Sequence, residues 1–292
     1  MQPLFVDTKG REVPAPDFGG AAVADTHAHL DMLDDPAGAL ARAARAGVGL
    51  IATVADVSED AWRTYDSLPA WLCGAQELLD SDGVAAPLPQ VRVILGCHPH
   101  NAKAWGAETE AEFRRLVADP LTCGVGELGL DYHYDHSPRE VQRDAMRAHL
   151  ALASEFGMPA TIHLREAHAD GLAVLREVGV PSAGAILHCY TLGPETMRDF
   201  LDLGCHVSFA GSVTFKKAEE IRDAVRGVPS GRLLTETDCP FMSPEPFRGT
   251  TNEPALVVFT AERMAQARDV PLAAFAAETF SAALKIFARG EA

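Results

Sequence analysis

Eight short apolar runs alternate with amphipathic stretches along almost the whole chain of 292 residues, and this alternation constrains the fold more than any other feature. The runs are Ala21–His27, Val48–Val54, Val91–Cys97, Cys123–Glu127, Ala160–Leu164, Ala185–Cys189, His206–Phe209 and Leu233–Thr237. Helical patterning covers 37–46, 58–71, 108–118, 138–157, 166–178, 194–203, 215–226 and 252–268, and a last amphipathic stretch covers 271–287. A strand followed each time by a helix predicts parallel strands, because the helix carries the chain back to the same edge. Eight such units in a chain of this length predict one TIM-like (β/α)8 barrel. Several runs are apolar at nearly every position, as strands covered on both faces must be. An open doubly wound sheet shows the same alternation, and periodicity leaves that alternative open.

Local punctuation agrees with the helices. Ser137-Pro138 places a capping residue and a proline at a helix start. Gly157-Met158-Pro159 ends that helix and launches the next strand. Glu77–Gln90, rich in Asp, Ser, Gly and Pro, reads as a surface loop or insertion. With no internal repeat, low-complexity tract or linker, residues 21–292 read as a single barrel domain behind an N-terminal leader segment, 1–20.

Composition excludes several classes. No apolar run resembles a signal peptide or reaches the roughly 18 residues a membrane helix needs, so the expected location is the cytoplasm and no membrane partner is expected. Six cysteines without a CxxC pair read as buried free thiols of a reducing compartment. A net charge of −16 argues against broad adhesion to duplex nucleic acid, although a metal-filled pocket can be positive on an acidic body. No obligate protein partner is evident in the sequence.

Polar residues gather at the ends of the apolar runs. His27 and His29 close the first as THAH, and residues i and i+2 share one face of a strand. Two imidazoles on one face make a metal clamp, whereas an isolated HxH is most often chance or a solvated turn. Glu127 ends the fourth run in CGVGELGLD, where a buried carboxylate needs an ion pair or a metal. Glycines 124, 126 and 129 permit close backbone approach there. His163 in PATIHL and His188 in AILHCY occupy equivalent positions on successive strands. Glu236 and Asp238 of ETD share a face by the same period, and two carboxylates aimed together repel unless cations lie between them. The C-terminal strand ends are where barrel active sites form. Histidine plus carboxylate suits Zn, Mn, Fe or, less well, Mg. A bridging Glu127 would hold two divalent ions roughly 3.5–4 Å apart. Two such ions with Glu127 and Asp238 leave about +2 of net charge, enough to attract phosphate and activate water. Cys97, Cys189 and Cys239 each stand one residue beside a site residue, so on strands they would face the helix layer as small hydrophobes.

These motifs together resemble the TatD family of metal-dependent deoxyribonucleases, within the amidohydrolase-like metal-dependent hydrolases. The resemblance covers nearly all of 22–287. It runs through DTHAHLD, GCHPH, GELGLDY, SPREVQRDAMRAH, PATIHLRE, LHCY, GCHVSFAGSVTFK, LLTETDCPFMSP and RGTTNEP in order. It implies hydrolysis of phosphodiester bonds, often as a 3′-to-5′ exonuclease on single-stranded DNA. It also implies that His27, His29, Glu127 and Asp238 hold one metal, while Glu127, His163 and His188 hold a second. The metals would be Zn, Mn or Mg, with a possible third ion near Glu236. Asp238 would take the proton of the attacking water. His98 would lie near the scissile phosphate, and Arg165 would contact phosphate, an arginine that could equally be solvated at a helix start. Two features depart from the family. Tyr190 follows Cys189 where phenylalanine is usual, and Ser281 stands where an asparagine is often found.

Tyr132, Tyr134, His133 and His136 fall beside the pocket mouth, where stacking on bases competes with plain packing or solvation of the loop. An amidohydrolase, lactonase or aminoacyl esterase on the same binuclear site is the rival chemistry. Such sites often bridge their metals with a carboxylated lysine, and the five lysines all fall outside the strand ends. A non-catalytic barrel would have lost ligands, and all six expected ones are present.

Overall fold

The computed structural model describes residues 3–288. The ends of the two expected segments, 1–2 and 289–292, lie outside the described residues. Eight parallel strands stand in sequence order around one sheet: β1 (Val23–Ala28), β2 (Val48–Asp56), β3 (Gln90–Gly96), β4 (Thr122–Asp131), β5 (Ala160–Arg165), β6 (Ala185–Leu187), β7 (His206–Phe209) and β8 (Leu233–Thr235). The sheet closes on itself just past β8. Ala28 bridges Cys239 in parallel, the amide of Asp238 donates to the His27 carbonyl at 2.9 Å, and the amide of His29 donates to the Cys239 carbonyl at 2.9 Å. The architecture is therefore the (β/α)8 barrel and not the open sheet.

Helices α1 (Pro36–Arg45), α2 (Trp62–Ser81), α3 (Ala107–Leu116), α4 (Arg139–Glu155), α5 (His168–Val178), α6 (Pro194–Asp202), α7 (Glu219–Gly227) and α8 (Val257–Arg268) form the outer layer. The last helix, α9 (Leu272–Ile286), packs Ala282, Ala283 and Ile286 against Leu50, Ala52, Ile94 and Leu234. Val54 shares the β2 face of Leu50 and Ala52 and lines the pocket, so this cluster is the floor beneath it. No helix among the described residues is long and apolar enough to cross a membrane.

Three local expectations are corrected. The stretch 77–90 is not all loop, since α2 continues to Ser81 with Pro69 inside it. Leu68, Leu72, Ala75 and Leu79 recur at helical spacing and bury one side of α2, which outweighs the Asp- and Ser-rich composition at its end. Ser137 caps no helix; its hydroxyl donates to the His100 carbonyl at 2.8 Å and accepts from the Lys103 amide at 3.1 Å, bracing the turn Pro99–Ala104. Cys73 is exposed, while Cys97, Cys123, Cys205 and Cys239 are buried. Ahead of the barrel, Phe5 is buried against Phe247 and Phe259, with ring centroids 5.9 and 4.9 Å away.

One buried histidine ties α4 to the strand end that leads into the site. His149 Nδ1 donates to the Ala145 carbonyl at 2.7 Å, and Nε2 accepts from the Cys97 amide at 3.1 Å. Protonation would turn that acceptor into a donor facing another donor. Burial pushes this imidazole down from 6.5 to about 4. The unfolded chain therefore takes the proton first, so the stabilisation is complete above 6.5 and is lost as pH falls toward 4. The stability gap between wild type and His149→Gln should narrow across that window by about 3 kcal/mol. Urea unfolding at several pH values measures it.

Candidate metal centre and active site

The sequence-selected residues meet across the barrel mouth from β1, β4 and β5, although Glu127 does not end its strand as expected, since β4 continues to Asp131. Glu127, 3 % exposed, is the hub. Its Oε1 lies 2.7 Å from His163 Nδ1, 2.9 Å from His188 Nε2 and 3.4 Å from His98 Nε2. Its Oε2 lies 3.1 Å from His27 Nε2 and 3.7 Å from His29 Nε2. Burial works to raise the Glu127 carboxyl, but the imidazoles of His188, His98 and His27 outweigh it and hold the group well below the usual carboxylate range. Burial likewise opposes ionisation of Asp238, and its contact with His29 together with charge on His188 and His27 prevails and lowers it. Asp238 Oδ1 lies 3.7 Å from His29 Nε2 and 4.0 Å from His27 Nε2.

Glu236 sits deeper. Its Oε1 accepts from the Cys189 amide at 2.5 Å and lies 3.3 Å from His188 Nδ1. Its Oε2, like His27 Nδ1, is buried with no hydrogen-bond partner. The rings of His27 and His188 stack at 3.9 Å, and His163 Nδ1 lies 3.4 Å from His188 Nε2. Imidazole nitrogens and carboxylate oxygens converging this closely form a donor set a cation could enter, and the two orphaned atoms point the same way. Three groups of donor atoms could each hold an ion: His27, His29 and Glu127; His27, His188 and Glu236; and His98, Glu127 and His163. Nitrogen and oxygen donors without thiolate fit a divalent hydrolytic metal.

Two assumptions about strand faces fail here for one reason. β6 ends at Leu187 and β8 at Thr235, so the period-2 rule does not reach Cys189, Glu236 or Asp238. Cys189 (φ 45°) and Asp238 (φ 55°) take left-handed turns. Cys189 consequently lines the pocket and does not face the helix layer, whereas Cys97 and Cys239 are core residues as expected.

Arg165 is exposed at the mouth, its guanidinium 4.8 Å over the Tyr134 ring. Tyr134 and His136 line the pocket and stack at 5.6 Å. Tyr132 and His133 are held elsewhere: the Tyr132 hydroxyl donates to Asp170 at 2.7 Å, and His133 pairs with Glu166 at 2.7 Å. Lys103 lines the pocket from the turn after β3 and donates to the His136 carbonyl at 3.3 Å.

Several supporting residues were not singled out from sequence. Asp131 Oδ2 lies 3.0 Å from His100 Nε2 and 3.3 Å from His163 Nε2, and Oδ1 accepts from the amides of His133 and Tyr134. Asp25 is fully buried and accepts from the Thr237 amide at 2.8 Å and its hydroxyl at 2.6 Å; burial pushes its carboxyl up to about 8. Asp56 accepts from the His98 amide at 3.0 Å, and Asn252 donates to the carbonyls of Thr237 and Phe241. Asp25 and Asp131, like Glu127, are carboxylates set in apolar strands, and the cost of burying such a group alone is their signal in the sequence.

A (β/α)8 barrel whose strand ends gather histidines and carboxylates around one buried glutamate defines the class of metal-dependent hydrolases. Residues 24–288 match the TatD related DNase family, and the chain belongs to it as a metal-dependent hydrolase of TatD type. The chain is 36% identical over 269 residues to the uncharacterized metal-dependent hydrolase YcfH of Escherichia coli strain K12, a match spanning 90% of this chain and 94% of that one. It is 34% identical over 197 residues to a 3′-5′ ssDNA/RNA exonuclease TatD of Erwinia amylovora, spanning 66% and 76% of the two chains. The crystal structure of YJJV, a TatD homolog from Escherichia coli K12, superposes with a TM-score of 0.78 at 24% identity, covering 92% of this chain and 98% of that one. That likeness concerns the fold.

The hub depends on close contact between β4 and β5. Gly129 has φ +141°, and a Cβ there would lie 2.0 Å from the His163 carbonyl oxygen. Gly129→Ala should therefore destabilise the fold by at least about 2 kcal/mol. It should also pull His163 from Glu127, which thermal melts and metal-content analysis would register together.

Proposed function

We propose that the chain hydrolyses phosphodiester bonds as a 3′-to-5′ exonuclease on single-stranded DNA. One observation carries this reading: a buried carboxylate with five imidazoles converging on it, at the base of an open mouth of about 1260 Å³. That volume exceeds the roughly 300–1,000 Å³ of small-ligand pockets and suits a chain-like substrate. The exonuclease name of the Erwinia amylovora relative supports it. Free cysteines suit a reducing compartment, and we place the protein in the cytoplasm.

His27, His29, Glu127 and Asp238 would hold one divalent ion; Glu127, His163 and His188 would hold a second; a third would draw on Glu236, whose donor group is with His27 and His188, or on His98, whose donor group is with Glu127 and His163. Bound there, the ions would lower the pKa of water and stabilise developing charge on the phosphoryl and leaving oxygens. Asp238, ionised and partly open to the pocket, accepts the proton of the attacking water. Water oxygen bonds to phosphorus, the bond to the leaving sugar oxygen breaks, and that oxygen is protonated from the open pocket. Arg165 and His98 orient the scissile phosphate, with the guanidinium offering paired N–H donors. Asp131 fixes the orientation of His163 through Nε2, leaving Nδ1 directed at the hub.

The test uses end-labelled single-stranded DNA with protein stripped and reloaded with Mg, Mn or Zn. Stepwise shortening from the 3′ end is expected, absent in Glu127→Gln. Asp238→Asn should lower turnover by roughly 10²–10⁴-fold, the usual weight of a general base. No shortening with any metal, by protein that binds metal, would sink the nuclease reading. Asp131→Asn should weaken metal binding by roughly 10- to 100-fold in calorimetric titration, and an unchanged affinity would remove its positioning role.

A further inference from the structure

Carboxylates outnumber lysines and arginines 41 to 25 in this chain, and nearly every arginine finds a partner. Among the described residues, Arg165, Arg198 and Arg248 have side chains with no hydrogen bond or ion pair. Two of these three line the active-site pocket, and both lie on aromatic rings: Arg165 at 4.8 Å over Tyr134 and Arg248 at 4.3 Å over Phe215. A guanidinium resting over a ring still has its N–H groups to offer, which suits it to a phosphate.

The two pairs face one another. Tyr134 follows β4 and Arg165 ends β5, whereas Phe215 and Arg248 follow β7 and β8. In a ring of eight strands β4 stands opposite β8, so the pairs approach from opposite sides the pocket that Glu127 also lines. The second pair is also firmly mounted. Arg222, 4 % exposed, donates to the carbonyls of Val213 at 3.0 Å and Phe215 at 2.9 Å, clamping the loop that carries the ring. Phe247, beside Arg248, is buried with its ring 4.8 Å from Phe259.

We propose that Arg248, seated on Phe215, binds the phosphate one linkage to the 5′ side of the scissile one. The substrate is then a single strand with at least two consecutive phosphodiesters, crossing the mouth from the Arg165 side to the Arg248 side. This rests on the nuclease reading and adds the subsite that selects a strand over a lone diester.

The experiment compares wild type with Arg248→Gln and Arg248→Lys on a dinucleotide, a trinucleotide, and a trinucleotide whose penultimate linkage is an uncharged methylphosphonate. Wild type should prefer the trinucleotide by roughly 10- to 100-fold in kcat/KM, the weight of one charge-assisted contact. Arg248→Gln should lose that preference chiefly through KM, and the methylphosphonate should penalise wild type but add no further loss to the variant. Arg248→Lys should recover part of it. Anisotropy of a labelled oligonucleotide against salt provides a readout apart from hydrolysis. The slope should fall by about 0.7 in Arg248→Gln, as for one phosphate contact on a single strand. Equal losses on dinucleotide and trinucleotide, or an unchanged salt slope, would overturn the subsite. Binding with the expected slope change but no hydrolysis would instead overturn the nuclease reading alone, and wild type that neither binds nor cleaves would overturn both.

Discussion

Glu127 places a negative charge in the barrel interior at the point where five imidazoles meet. Such a charge is costly to bury alone, and the imidazoles are costly to pack against one another without it. Each side therefore depends on the other. The contacts of 2.7 to 3.4 Å to Oε1 draw His163, His188 and His98 together, and those to Oε2 draw His27 and His29. The partners come from β1 and the residue just past it, the turn after β3, β5 and the turn after β6, so one carboxylate links segments spread over more than half of the chain. The close β4–β5 contact at Gly129 is the backbone condition for this arrangement.

Barrel closure supplies the remaining donor. β8 is short, and beyond it the chain is held to β1 by backbone bonds at His27, His29, Asp238 and Cys239. Asp25 braces the same junction through Thr237, and Asn252 holds Thr237 and Phe241 from the other side. These contacts set Asp238 beside His29 although the two are far apart in sequence. The same closing loops carry Phe241 and Arg248 into the mouth, and Phe247 anchors them on a cluster shared with Phe5.

The electrostatic contrast follows from local pairing. A body of net charge −16 repels a polyanion, yet most of its arginines are neutralised by nearby carboxylates on the outer helices. Exposed pairs of this kind add little stability. The arginines left bare are concentrated at the mouth, where cations bound at the hub would add to their field. Acidity overall and affinity for phosphate at one point are compatible because field is governed by what lies within about 10 Å.

The order of strands and helices, the barrel class and the identity of the hub residues were legible in the sequence. Apolar alternation sets parallel βα units, and polar residues at strand ends stand out against apolar neighbours. The last helix was legible from its amphipathic spacing, whereas the extension of α2 to Ser81 was not read, because the Asp- and Ser-rich composition of its end argued for a loop. Other features needed the tertiary structure. Cys189 and Asp238 turn through left-handed conformations just past their strands, so alternation could not assign their faces. The bracing of His163 by Asp131, of Cys97 by His149 and of Thr237 by Asp25 joins residues distant in sequence. The freedom of Arg248 is defined only by which carboxylates fail to reach it. Sequence determines periodicity and local chemistry because those depend on neighbours along the chain; partners, exposure and closure depend on neighbours in space, and only the folded barrel decides them.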